Sequence, residues 1–147
     1  MNLFSLLAFL SGAAIATQAS LNAQLGSLLK NPLLATCVAF SSSIFFTLLA
    51  VGVYTKDYPT KEILRAVPVY LWFSGGILSA FGISMFYILI PKMGVGTMMS
   101  YALTGQLMVA VIVGHYGWFD LPINPITPGR FAGVVALILG VILINKK

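Results

Sequence analysis

Residues 33–54, LLATCVAFSSSIFFTLLAVGVY, contain no charged side chain and no strict alternation of apolar and polar positions. A helix over this stretch, at about 1.5 Å per residue, is roughly 33 Å long and matches a hydrocarbon core of roughly 30 Å. Hydrocarbon offers no partner to a free backbone amide, so only helices and closed barrels span it. The continuous apolar run lacks the dyad alternation of a barrel strand, which leaves the helix. Four stretches of the same kind flank it, at Leu3–Leu29, Val67–Ile90, Gly94–His115 and Gly129–Asn145. The sequence therefore predicts an all-α integral membrane protein with five transmembrane helices, forming a single transmembrane domain over residues 1–147.

Composition agrees. The chain has 147 residues, of which 59% are hydrophobic and 7% charged, against roughly 25% charged in a soluble domain. So few charges do not cover a water-facing surface, and lipid covers it instead. The net charge of +5 is scattered between spans with no basic cluster, as in ordinary topology signals, so no nucleic-acid partner is expected. The single cysteine, Cys37, lies inside a span and reads as a small packing residue. The first stretch has no basic residue before Lys30 and carries Gln18, Asn22 and Gln24 in its interior, so it reads as a span rather than a cleaved signal.

Turn chemistry marks the connections. Lys30-Asn31-Pro32 closes the first span, with Pro32 suited to the first turn of the second. Residues 54–66 form a polar loop holding Lys56, Asp57, Pro59, Lys61, Glu62 and Arg65. Pro91-Lys92-Met93-Gly94 is read as a tight connection. The last loop, residues 116–128, contains Pro122, Pro125 and Pro128 and is expected to be extended; Tyr116, Trp118 and Phe119 open it as an interfacial aromatic belt.

With five spans, alternate connections lie on opposite sides of the membrane. One side receives Lys56, Lys61, Arg65 and Arg130, and the other Lys30, Lys92, Lys146 and Lys147. Positive-inside orientation depends on a difference, and none exists here. Either the N-terminal region decides, or copies insert both ways and pair antiparallel into a ten-helix inverted repeat.

Polar side chains inside spans are costly and face other helices or a wet cavity. At roughly 100° per residue, Ser11, Gln18 and Asn22 share one stripe of the first helix and Thr17, Ser20 and Gln24 another. Between them runs a small-residue seam of Gly12, Ala16, Ala19, Ala23 and Gly26, which places this helix centrally. On the third span Trp72, Gly75, Ser79, Gly82 and Phe86 share a face, which describes either a walled groove or a close helix contact. Thr36, Phe40, Ser43 and Thr47 align on the second span. Thr97, Tyr101, Thr104 and Met108 align on the fourth, with Gln106 pointing elsewhere. On the fifth, Ala132, Ala136 and Gly140 form a small-residue ridge beside Gly133, an association surface between helices or subunits.

The carboxylates Asp57, Glu62 and Asp120 all fall in loops, and His115 falls at a span end. No clustered ligands, no nucleophile beside a base and no phosphate loop are present. An enzyme, a metal site and a cofactor are therefore not expected.

The order Gln18-x-x-x-Asn22, Pro91-Lys92-x-Gly94, Gly105-Gln106, then His115-Tyr116-Gly117-Trp118-Phe119, Pro125-Ile126-Thr127-Pro128 and Arg130-x-x-Gly133 runs along the whole chain. It ends in the apolar helix that contains Gly140. In these features the chain resembles the YdcZ-like branch of the drug/metabolite transporter superfamily, half-length proteins of the bacterial inner membrane. The resemblance implies two halves paired in inverted orientation, whether fused, heteromeric or homomeric. Members often carry Asp before the aromatic pair of the last loop, where this chain has His115, so no acid is carried over there. The chain is also similar to small multidrug resistance proteins, four-span antiparallel dimers with an essential glutamate in the first span. Gln18 and Asn22 stand at comparable depth and do not titrate, so that route of proton coupling is not carried over either.

The reading that follows is a small-molecule transporter or exporter using alternating access across an antiparallel homodimer. Gln18 and Asn22 supply hydrogen bonds near the midplane, Trp72, Phe86 and Tyr101 wall the site, and Ser79, Thr104 and Gln106 add polar contacts. Ala132, Gly133, Ala136 and Gly140 form the dimer interface. A neutral or zwitterionic solute suits this chemistry, or a cation held over aromatic faces. A non-transporting scaffold subunit uses the same small-residue seams and is the alternative.

Overall fold

A computed structural model describes residues 2–146. Its helices are α1 (Leu3–Leu28), α2 (Pro32–Tyr54), α3 (Lys61–Ala66), α4 (Val69–Met93), α5 (Val95–Tyr116) and α6 (Pro128–Asn145). All except the short α3 are long and apolar enough to cross a membrane. No strand occurs among the described residues. The expected Lys147 charge lies outside those residues. The chain forms two compact units, Met1–Lys92 and Met93–Lys147.

In the first unit the α1–α2 turn is fixed by its own sequence. The Lys30 N–H donates to Ser27 O and the Asn31 N–H to Gly26 O, with Lys30 in the left-handed region at φ 52. These are the two bonds of a Schellman ending, which satisfy carbonyls the helix leaves free. The Asn31 side chain then accepts from the Leu33 and Leu34 amides, and Pro32 begins α2. Close approach of the two helices needs small residues, and the seam supplies them. Ala19, Ala23 and Gly26 are buried on α1, opposite buried Ala35, Thr36 and Ala39 on α2. A Cβ on Gly26 would stand 3.1 Å from Pro32 Cα. The seam closes only over this half of the helix. Gly12 meets nothing within 4 Å, and α1 is exposed from Leu3 to Ile15, so α1 is not enclosed along its length as the sequence reading expected.

Two further expectations need correction. Residues 54–66 are not all loop, because Thr60 caps a helical turn, its hydroxyl accepting from the Ile63 amide. Nor is Pro91 in the connection, since α4 continues through it to Met93 and the chain turns at Gly94, φ 87. Near a helix end a proline forfeits a single backbone bond, and Lys92 in the last turn complements the helix dipole. The forfeited bond is the one that Tyr87 C=O, four residues earlier, would have received.

The second unit is an α5–α6 hairpin. Gly117 ends α5 at φ 63, and the chain makes a tight turn at Trp118–Asp120 before an extended segment leads to α6. The segment is tied back by the Asn124 N–H donating to Gly114 O and the Ile126 N–H donating to His115 Nδ1. Thr127 caps α6 and Pro128 starts it.

Candidate functional site

Polar side chains converge where the lower halves of α1 and α4 meet. Tyr87 is the largest side chain that is fully enclosed, with 0% exposure. Its ring fills the space beside α1, and its hydroxyl accepts a hydrogen bond from Gln18 Nε2 at 2.6 Å. Asn22, one turn along from Gln18, donates to Gln18 O at 3.1 Å, and its side chain approaches the Tyr87 hydroxyl as well. Nearby, the buried hydroxyls of Thr36 on α2 and Ser84 on α4 share a 3.2 Å hydrogen bond. Each polar group that enters this apolar packing thus meets another, as burial requires.

Beside this network lies a cavity of about 440 Å³ lined by Gln18, Phe40, Ser43 and Ser79, with Ala14, Ile15, Ala39 and Ile83 as its apolar wall. A second hollow of about 360 Å³ shares Phe40, Ser43 and Ser79 and adds Thr47 and Gly76. The α2 face of Phe40, Ser43 and Thr47 therefore opens onto α4. Depth follows from the helix ends. Gln18 stands ten residues before Leu28, Ser43 eleven after Pro32 and Ser79 fourteen before Met93. At about 1.5 Å per residue these positions lie roughly 15–21 Å from the helix ends at the Lys30 connection and Lys92, the middle of a hydrocarbon core about 30 Å thick. No ionisable side chain lines either cavity.

The residues singled out from the sequence are distributed as follows. Gln18 and Ser79 line one cavity. Asn22 lies beside Gln18, and Phe86, 8% exposed, is buried on α4 next to Tyr87 in sequence. Trp72 is 56% exposed and lines neither cavity. Tyr101, Thr104 and Gln106 belong to the second unit, where the Thr104 hydroxyl turns back to Ser100 O. On α6, Ala132, Gly133 and Ala136 are exposed and Gly140 is half-buried, with nothing within 4 Å of a Cβ at either glycine.

Tyr87, Ser84 and the pairing of Thr36 were missed from the sequence. The buried residues of α4 are Ser84, Phe86, Tyr87 and Ile90, so the enclosed face reaches about one residue beyond the stripe through Phe86 that periodicity marks. A usable signal was present. A tyrosine among aliphatic residues within a span must give its hydroxyl a partner, and Gln18 and Asn22 were available.

The second unit holds another hollow, of about 530 Å³, between α5 and α6. Arg130 stands at its rim, its Nη1 donating to the carbonyls of Asn124 (2.9 Å) and Pro125 (3.2 Å) and its Nη2 to Asn124 Oδ1 (3.0 Å).

Five spanning helices and an uncharged, mainly apolar hollow at mid-depth that Gln18, Ser43 and Ser79 line with polar groups fit a small multi-pass membrane transporter. Over residues 3–143 the chain matches the family described as "Putative inner membrane exporter, YdcZ", and it belongs to that family. It is accordingly a multi-pass protein of the inner membrane, in a family of exporters rather than enzymes. No curated protein and no solved structure matches the chain.

Proposed function

We propose that the protein exports a small neutral or zwitterionic solute by alternating access, and that the working unit is an antiparallel homodimer of ten spanning helices. The observation that carries this reading is the cavity at mid-depth, bounded by Gln18, Ser43 and Ser79 and free of ionisable side chains. A scaffold subunit gains nothing from three polar side chains facing one hollow in hydrocarbon, whereas a transporter needs hydrogen-bonding groups there.

Within this reading Gln18 and Asn22 are the primary hydrogen-bonding groups, with Tyr87 fixing the Gln18 amide. Ser79 and Phe86 lie on the α4 side. Trp72, Tyr101, Thr104 and Gln106 complete the site in the assembled dimer. The ridge of Ala132, Gly133, Ala136 and the half-buried Gly140 is the surface on which copies meet, since small residues let backbones approach closely. Inverted pairing is supported by the even split of positive charge between the two sides. The resemblance to the drug/metabolite transporter superfamily, which implies paired inverted halves, supports this assembly.

The reading is tested by solute flux in proteoliposomes. Gln18→Ala and Asn22→Leu should each lower transport by about tenfold, the effect of removing one or two good hydrogen bonds from a desolvated site. Unchanged flux in both variants would remove the assignment.

A further inference from the structure

The hollow between α5 and α6 plays no part in the transport site proposed above, and its chemistry differs. Its walls are apolar, formed mainly by Leu107, Ala110, Val111, Val134 and Leu137. Its one charged lining group is the Arg130 guanidinium. The three hydrogen bonds of that group go to two carbonyls and a side-chain amide, so its positive charge meets no carboxylate there. A guanidinium has five N–H donors, and donors beyond these three bonds remain for a further acceptor.

Height in the membrane makes the combination specific. Arg130 lies in the first turn of α6, at the end of the hairpin where Tyr116 and Trp118 stack with ring centroids 5.7 Å apart. Tyrosine and tryptophan settle at the headgroup level. The groove then descends along α6 through Gly133, Val134 and Leu137, at steps of three and four residues from Arg130, into acyl-chain depth. This face is distinct from the small-residue ridge. At about 100° per residue, Arg130, Val134 and Leu137 centre roughly 125° away from Ala132, Ala136 and Gly140. Only Gly133 borders both.

From these observations we infer that the α5–α6 groove is a binding site for an anionic phospholipid, its phosphate on Arg130 and one acyl chain along Ala110, Val111, Val134 and Leu137. Charge complementarity selects the headgroup, and the apolar groove selects an attached chain over a free anion. Arginine forks suit phosphate oxygens, and basic positions between membrane helices on the headgroup plane are where anionic lipids are recognised.

The test is native mass spectrometry of the full-length protein released from mixed micelles that contain equal phosphatidylglycerol and phosphatidylethanolamine. The protein should retain phosphatidylglycerol about fivefold over phosphatidylethanolamine, the discrimination one interfacial arginine supplies. Arg130→Gln should abolish the preference, and Arg130→Lys, which keeps the charge, should retain it. Ala110→Phe, which fills the groove with Arg130 in place, should reduce retention of both lipids. Equal retention of the two lipids by the unaltered protein would overturn the proposal. So would loss of preference in Arg130→Lys as complete as in Arg130→Gln, since the arginine would then act only by holding the loop. Full competition by soluble glycerol 3-phosphate would overturn it as well, because the acyl groove would contribute nothing. None of these readouts depends on transport.

Discussion

A phenol among apolar side chains keeps its ring in hydrocarbon and must give its hydroxyl a partner. Tyr87 accepts from Gln18, and the proline four residues on leaves the Tyr87 carbonyl without its helical donor. The polar site is thus held by residues from two helices that sequence spacing alone did not connect. Interhelical hydrogen bonds in membranes contribute about 0.6 kcal/mol, so Tyr87→Phe should lower unfolding stability only slightly. It should release the Gln18 amide and weaken solute affinity by about fivefold, the loss of one positioned hydrogen bond, read as KM in the flux assay. Gly26 shows the opposite balance, of packing without polarity. A Cβ there meets the Pro32 backbone at 3.1 Å, so Gly26→Val should cost about 1–3 kcal/mol by overpacking, measured by unfolding in mixed micelles. Gly12→Ala, with open space around it, should be neutral or mildly stabilising. Both glycines belonged to the same seam in the sequence. Periodicity gives the stripe but not how far along it the neighbouring helix stays in contact.

The helices themselves were legible, because length and uninterrupted apolarity are imposed by the bilayer and need no tertiary information. Their ends were legible where a cap is written locally, as at Asn31-Pro32 and Thr127-Pro128. They were misread at Pro91, because a proline in the last turn costs little and the true stop is the left-handed backbone of Gly94. The helix α3 escaped notice because it is a single polar turn whose formation rests on Thr60 and Glu62. The Glu62 carboxyl is held below its ordinary value of 4.5, first by its own backbone N–H and then by the Thr60 hydroxyl. A lowered value in the folded turn means the contribution is present above the ordinary value and lost as pH falls through the lowered one. Amide exchange at Ile63 and Leu64 should therefore accelerate below about pH 4.5 relative to exchange in a Glu62→Gln variant. In the last loop, three prolines announced extended backbone. The Ile126 N–H bond to His115 Nδ1 and the carbonyls gathered by Arg130 depend on contacts across 5–11 residues that no local pattern contains.

At the scale of the molecule, five helices long and apolar enough to span would give the chain an odd number of crossings, and its positive side chains would then divide evenly between the two sides. Alone, the chain leaves the upper part of α1, the Trp72 end of α4 and the α6 ridge exposed. A transporter must enclose its site, and under the proposed function the pairing of two such chains in opposite orientation would supply the missing walls. The account therefore stands or falls on how the copies insert. The direct measurement is labelling of Lys56→Cys by an impermeant thiol reagent in intact cells, in a Cys37→Ser background because Cys37 is exposed on α2. With positive charge balanced, about half of the copies should label from outside and the rest only after permeabilisation. Labelling of all copies from one side alone would contradict the antiparallel pair.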